Sequence, residues 1–154
     1  MRFAIAAALA LAAASSLPAQ PVVSMTDLSY APPIGGSWVY ATTPTGSEST
    51  FTNVSGQPQV TVRCTRATRR IAILKPATAP ATTLWVWTSA QAKNLAAGFD
   101  PSSGRVTAEL GAYDPFLDMV ASSRGRIGFS TPGVAPLVVP PWSEVGRVIE
   151  DCRV

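Results

Sequence analysis

Short runs in which apolar and polar residues alternate fill the middle of the chain. In PQVTVRCT (58–65), Val60, Val62 and Cys64 fall on one face, and the other face is polar. An alternation with a period of two predicts a strand with one buried face. We therefore expect Cys64 to point into the core. Similar runs predict strands at 36–42, 48–53, 69–75, 83–89, 105–110, 126–131 and 135–140.

Turn residues between these runs indicate how neighbouring strands connect. The runs 36–42 and 48–53 flank TPTGS, whose proline and glycine suit a turn, so these two runs are predicted to form a hairpin. The run 69–75 follows 58–65 after a short connection. It is predicted to pair antiparallel with that strand.

The run TLWVWTS (83–89) is apolar on both faces. Leu84 and Val86 alternate with Trp85 and Trp87. Strands that are buried on both sides have this composition. We therefore expect the run to be covered on both faces.

Two segments favour helix instead of strand. In DPFLDMVASSRG, Asp114 suits the N-cap and Pro115 suits the first helical position. The helix body is predicted over 116–123, and Gly125 is expected to follow its end. In the tail, apolar residues at helical spacing fall on one side of a helical wheel and charged residues fall on the other. The apolar side holds Trp142, Val145, Val148, Ile149 and Cys152.

Together these patterns predict a mainly β fold, either a β-sandwich or a curled antiparallel sheet. Two short helices complete it, and the last one is C-terminal. Apart from an N-terminal leader, the chain of 154 residues fits one domain large enough to bury a sizeable core.

The N-terminus has the layout of a secretory signal peptide. Residues 1–19 carry one basic residue, Arg2, then a small and apolar run, and then a short segment that ends at Ala19. This layout predicts cleavage near Ala19 and a periplasmic or secreted protein. Residues 20–34 are expected to form an irregular lead-in, and residues 35–154 a single β-rich domain. No later stretch is long or apolar enough to span a bilayer.

The chain has two cysteines and no histidine. Because two thiols in one small exported domain usually pair, a Cys64–Cys152 disulfide is predicted. This bond would anchor the C-terminal helix to the strand 58–65. A metal site is the alternative use of the cysteines, but the chain has neither a CxxC pair nor a histidine. We therefore expect no metal and no cofactor.

The charge balance of the chain is weakly basic. The net charge is +3, and the loss of Arg2 with the leader lowers it to +2. Proteins that bind nucleic acids usually carry a strongly basic face. We therefore expect no nucleic-acid partner, and we expect the mature protein to be a monomer.

Arginines are concentrated in two places, the hairpin 58–75 and the residues around Gly125. Guanidinium groups hold carboxylates and phosphates through paired hydrogen bonds, so these residues are candidates for an anion-binding patch. Solvated charge that protects a sheet edge from aggregation is the alternative interpretation. The candidate anion-binding residues are Arg63, Arg66, Arg70, Arg124 and Arg126.

Few residues suit catalysis. Without histidine, most catalytic triads are excluded. Asp114 and Asp118 lie four residues apart on one helix, and Glu150 precedes Asp151. A hydrolase that uses carboxylates needs such a pair on either side of a cleft. An N-cap and a solvated helix face are the alternative interpretation. No catalytic residue is assigned.

Three motifs carry a resemblance to other proteins. With VTVRCT, DPFLDMVASSRGRIGF and LVVPPWSEVGRVIEDCR, the chain resembles a group of small exported alphaproteobacterial proteins that have no assigned activity. Its early GSW strand, its RC strand and its cysteine near the terminus are also similar to exported proteins of the invasion-associated locus B type. These resemblances imply an envelope or secreted module without catalysis, and they carry over no binding residues.

These observations favour an exported, disulfide-stabilised binding or accessory module of the bacterial cell envelope that is not an enzyme. Its expected partner is an envelope protein or an anionic envelope polymer. Two alternatives remain at this stage. One is a small envelope hydrolase that uses carboxylates, which requires two carboxyls in a cleft and a raised pKa. The other is an inhibitor of an exported enzyme, which requires a rigid exposed loop or an apolar patch.

Overall fold

The structure of the protein is a computed structural model that describes residue 28 and residues 30–154. The predicted leader, residues 1–19, lies outside the described residues. Most of the predicted lead-in, residues 20–34, also lies outside them. The fold below is that of the described part of the chain.

Nine strands of the described chain form one antiparallel sheet that curls into a half-barrel. Their order across the sheet is β1-β2-β3-β4-β7-β6-β5-β8-β9. The mainly β fold predicted from the sequence is therefore confirmed, in its curled-sheet form. The strands are β1 (Gly36–Thr43), β2 (Gly46–Asn53), β3 (Pro58–Thr65), β4 (Arg70–Pro76), β5 (Thr83–Trp87), β6 (Ala92–Asp100), β7 (Arg105–Gly111), β8 (Ile127–Thr131) and β9 (Val134–Val139).

The two predicted antiparallel pairs are both present. β1 and β2 form a hairpin in which Trp38 lies opposite Phe51, with their ring centroids 5.5 Å apart in an edge-to-face arrangement. β3 and β4 pair antiparallel with Cys64 opposite Ile71. The second strand begins one residue later than predicted, because Arg69 adopts a left-handed conformation with φ of 49° after a 3₁₀ turn.

The concave face of the curled sheet holds the core. Val60, Val62 and Cys64 are all buried, as the alternation in β3 predicts. Thr61, which was predicted on the polar face, is buried too, and its hydroxyl lies 2.9 Å from that of Thr50 on β2. The neighbouring strand thus satisfies a hydroxyl that has lost water.

The prediction that β5 is covered on both faces is only half correct. Leu84 and Val86 are fully buried, but Trp85 and Trp87 are half-buried. Leu28 covers part of the outer face. Gly128 on β8 stands opposite Trp87, and the Leu28 side chain occupies the space that a Cβ would need at Gly128. Both tryptophans therefore keep part of their surface accessible to solvent.

The sequence patterns assign no element to β6, yet this strand joins β5 to β7. Its sequence AKNLAAGFD has no β-branched residue, and Leu95 is its one fully buried side chain. Ala, Asn and Gly have low intrinsic preference for strands. The hydrogen bonds offered by two flanking strands therefore decide its conformation.

Two helices complete the described fold, α1 (Pro115–Ala121) and α2 (Ser143–Asp151). Asp114 caps α1 as predicted, and its carboxylate accepts a hydrogen bond of 2.9 Å from the backbone N–H of Phe116. α2 buries Val145, Val148 and Ile149. Trp142, which was predicted on that buried side, precedes the first turn of α2 and is 42% exposed. The extended backbone at Trp142 directs its side chain away from the apolar stripe.

The curled sheet has two different ends, which follow from its antiparallel order. The helical end holds the β1–β2 turn and the β3–β4 connection, and α2 packs there on β1, β2 and β3. The open end holds the starts of β1 and β5 and the β2–β3, β6–β7 and β8–β9 turns. Both helices follow strands that end at the helical end, so no helix of the described chain follows a strand at the open end.

Candidate functional site

A disulfide closes the helical end. Cys64 on β3 and Cys152 at the end of α2 are bonded, with their Cα atoms 5.5 Å apart and both side chains fully buried. The bond that the sequence predicts is therefore confirmed. At the start of the same tail, Trp38 Nε1 donates a hydrogen bond of 2.8 Å to the carbonyl of Pro140. α2 is thus attached to the sheet at both of its ends.

Asp151 at the helical end is held in a polar network. Its carboxylate accepts a hydrogen bond of 2.6 Å from the Tyr40 hydroxyl, and the guanidinium of Arg147 lies 3.9 Å from the Tyr40 ring centroid. Burial alone would raise the pKa of Asp151, but the Tyr40 hydroxyl and the charges of Arg66 and Arg147 lower it. An acid with a lowered pKa stays ionised and does not serve as a proton donor near neutral pH.

The other carboxylates of the hydrolase alternative also have structural partners. Arg153 pairs with Asp118 at 2.7 Å and with Glu150 at 3.1 Å. Asp114 caps α1 and pairs with Lys93 at 3.0 Å. Burial would raise the pKa of Asp114, but the Phe116 N–H and the Lys93 ammonium lower it. These contacts give no support to a pair of catalytic carboxyls.

The three candidate arginines on the β3–β4 hairpin have partners within the protein. Arg63 Nε lies 2.8 Å from Glu48, and Arg70 lies 3.4 Å from Glu109 on β7. Arg66 Nε donates a hydrogen bond of 3.3 Å to the backbone carbonyl of Asp151. Each of these guanidinium groups therefore already contacts an oxygen atom.

The two remaining candidate arginines lie on the connection from α1 to β8. The backbone N–H of Arg124 donates to Ser89 Oγ at 2.9 Å, and Arg126 Nη1 donates to the carbonyl of Ala31 at 2.9 Å. No contact within the described residues joins this pair to the arginines of the β3–β4 hairpin. Anion binding by the five residues stays a prediction, and these contacts do not favour a single shared site.

The open end contains a cavity of about 380 Å³, here called the Lys75 cavity. Strands that are not neighbours in the sheet line it, because the curl brings β9 over the ends of β3 and β4. Five of its nine lining residues are exposed, so the cavity is open to solvent at this end of the half-barrel. Its lining residues are Ile34, Pro58, Gln59, Lys75, Pro76, Val134, Ala135, Pro136 and Leu137.

Among the described residues, Lys75 is the one charged side chain that lines this cavity. It follows Ile71 and Ile73 at alternate positions of β4, so it shares their inward face. The side chain is 5% exposed. No carboxylate of the described residues pairs with it, and burial lowers the pKa of its amine from 10.5. Sequence reasoning missed this residue, although the spacing of Ile71, Ile73 and Lys75 already indicates its direction.

A second cavity of about 440 Å³ lies at the same end. It is formed by the segment that precedes β5, by the last residues of β6 and by Pro132 in the β8–β9 turn. The side chain of Phe99 lines it and packs against the core. Both cavities thus lie at the end of the sheet that the helices and the disulfide leave uncovered.

Within the described residues, no group of histidine, cysteine, aspartate and glutamate side chains is arranged to hold a metal ion. Neither α1 nor α2 has the length and apolarity that a helix needs to cross a membrane. Searches of protein families, curated proteins and solved structures with this chain find no match. The resemblance to small exported alphaproteobacterial proteins therefore stays a prediction.

Proposed function

We propose that this protein is an exported, disulfide-stabilised binding module of the bacterial cell envelope and that it takes its ligand at the open end. One observation carries the proposal. Lys75, a residue that is only 5% exposed, lines the cavity without a carboxylate partner among the described residues, at the end opposite the disulfide and the helices. A concave, mostly apolar site with few polar groups is typical of ligand binding.

The contacts at the helical end support a structural role for that end. Cys152 and Arg153 hold the tail in place there. A rigid end of this kind leaves the opposite end free to bind, because binding sites are commonly carried by connections on a rigid scaffold. The carboxylates with lowered pKa values at Asp114 and Asp151 favour a binding module over a hydrolase.

Export is tested by expressing the full chain in a bacterium and analysing the periplasmic fraction by mass spectrometry. The expected product begins after Ala19 and has no free thiol. An unprocessed chain that stays in the cytosol, or a processed chain with two free thiols, would contradict the exported and disulfide-stabilised part of the proposal.

Binding is tested by adding the small-molecule fraction of an envelope extract to the ¹⁵N-labelled mature protein. We expect amide shifts to change at the open end, for example at Gln59 and Val134. Ala135→Trp should suppress these changes, because its ring would fill the mouth of the Lys75 cavity. Ala41→Trp is the matched control on another exposed strand position. Changes confined to α2, or none at all, would refute binding at the open end.

A further inference from the structure

The ligand class follows from the buried amine of the Lys75 cavity. Lysine side chains are almost never fully buried unless they are paired. Lys75 is 5% exposed, and no carboxylate of the described residues pairs with it. Because a lysine with so little exposed surface is stabilised by a counter-charge, an anion that enters the cavity would supply the partner that the described residues do not.

We propose that the Lys75 cavity binds a small apolar monocarboxylate, whose carboxylate pairs with the Lys75 ammonium and whose carbon body contacts the apolar walls. This inference rests on the proposed function. Besides Lys75, the lining includes Ile34, Val134 and Leu137 together with three prolines. These side chains offer carbon contacts to a chain or a ring.

The lining also excludes other ligand classes. A phosphate or a dicarboxylate would bring a second negative charge, and the described part of the chain places no second cation in the lining to pair with it. A sugar would bring several hydroxyls, but Gln59 is the one uncharged side chain of the lining that carries hydrogen-bonding groups. Its Nε2 already donates to the carbonyl of Gln57 at 3.2 Å. A ligand with a single carboxylate on an apolar body leaves the fewest charged and hydrogen-bonding groups unpaired in this cavity.

A covalent role for the amine is not favoured by the same lining. Imine formation with an aldehyde releases water, and its acid-catalysed step needs a proton donor beside the departing hydroxyl. No aspartate, glutamate, tyrosine or histidine of the described residues lines the cavity. A charge pair with a carboxylate needs no such donor, so the structure favours reversible binding.

Calorimetric titration of the oxidised mature protein with octanoate tests the inference. We expect saturable binding of octanoate, and at least about tenfold weaker binding of the uncharged octanamide and of octanedioate. The two lysines of the chain provide a matched pair of variants. Lys75→Met should weaken octanoate binding at least about tenfold, whereas Lys93→Met should not, because Lys93 pairs with Asp114 at the helical end.

Thermal stability separates a ligand anchor from a purely structural amine. Without ligand, Lys75→Met should melt at a higher temperature than the wild type, because it removes an unpaired charge from an apolar site. Lys93→Met should melt at a lower temperature, because it removes an ion pair. Lower stability of Lys75→Met, or unchanged octanoate affinity in that variant, would overturn the inference.

A peptide with a free apolar C-terminus presents the same carboxylate chemistry. Trileucine and its C-terminal amide are therefore titrated in the same way. Binding of trileucine without binding of octanoate would overturn the assignment to a small molecule. If octanoate fails but the envelope extract still shifts the amides at the open end, the carboxylate inference is wrong and the proposed function stands. If neither binds at the open end, both are wrong.

Discussion

At the scale of single residues, Lys75 shows how burial and charge can conflict. Its position on the inward face of β4 is set by the same alternation that buries Ile71 and Ile73. An aliphatic residue there would extend the core, whereas a lysine introduces an ammonium group with no carboxylate partner among the described residues. Residues that lower stability without an evident structural gain are often retained for function.

This conflict predicts a specific dependence of stability on pH. Burial lowers the pKa of the Lys75 amine below 10.5, so between the folded-state pKa and 10.5 the unfolded chain binds more protons than the folded chain. The free energy of unfolding contributed by this group therefore rises with pH across that window. Lys75→Met should be more stable than the wild type at neutral pH, and the difference should shrink as pH approaches 10.5. Urea unfolding of both proteins at several pH values measures this difference in stability. A difference that does not change with pH would contradict the prediction.

The cap of α1 is a second prediction at the residue scale. Asp114→Ala removes the hydrogen bond to the Phe116 N–H and the ion pair with Lys93, and we expect a loss of about 1–2 kcal/mol in the free energy of unfolding. Asp114→Asn keeps a good capping group and should lose less. Because the pKa of Asp114 is lowered, its contribution is present above its unfolded pKa and is lost as pH falls through the folded value. Equal losses in the two variants at neutral pH would refute a capping role.

At the scale of elements, the register of the strands explains where the candidate arginines lie. Arg63 stands directly opposite Glu48. Glu109 stands opposite Ala72, and Arg70, two residues before Ala72 on the same face of β4, reaches Glu109 diagonally. Opposite charges on neighbouring strands attract each other across one face of a sheet. The sequence contains these charges, but only the pairing of β2, β3, β4 and β7 brings them together. A cluster of arginines in the sequence is therefore not a cluster of free cations in the fold.

Close approach of β2 and β3 gives a prediction for Gly46. A Cβ at this position would strike the backbone carbonyl of Cys64. Gly46→Ala should therefore lower the free energy of unfolding by about 1–3 kcal/mol, because neither strand can move without disturbing the disulfide. Gly111→Ala is the matched control, because nothing lies within 4 Å of a Cβ there. Chemical unfolding of both variants checks this, and equal stability would argue against the close approach.

At the scale of the whole molecule, the two ends of the curled sheet have different tasks. The helical end carries the disulfide and both helices. The open end carries the Lys75 cavity and the second cavity beside Phe99. This separation means that the bond to Cys152 can stabilise the domain without shaping the cavities directly.

Removal of the disulfide tests this separation. The double variant Cys64→Ala, Cys152→Ala should lose about 2–5 kcal/mol of unfolding free energy, because the bond closes a loop with a sequence separation of 88 residues. Hydrogen exchange should rise in α2. Below its melting temperature, the variant should still bind octanoate within about threefold of the wild type, since sites without shared contacts act nearly independently. Unchanged stability would remove the structural role of the disulfide, and lost binding would show that the two ends are coupled.

The strength of local signals explains how much was predictable. β3 has regular alternation and was predicted with the bounds Pro58–Thr65, and Asp114 with Pro115 marked the start of α1. β6 has weak strand preference, so its flanking strands decide it. The candidate site is less predictable from the sequence than these elements. The direction of Lys75 follows from spacing, but its burial depends on β9, which lies far from β4 in the sequence.

The sequence by itself determined the strands with clear alternation, the two helices and the pairing of Cys64 with Cys152. These follow from residue spacing, from capping chemistry and from the presence of one other thiol. The tertiary structure alone decided the strand β6, the partners of the arginines and the enclosure of Lys75. Each of these depends on which distant strands become neighbours when the sheet curls, and a pattern along one strand contains no information about the strand that will face it.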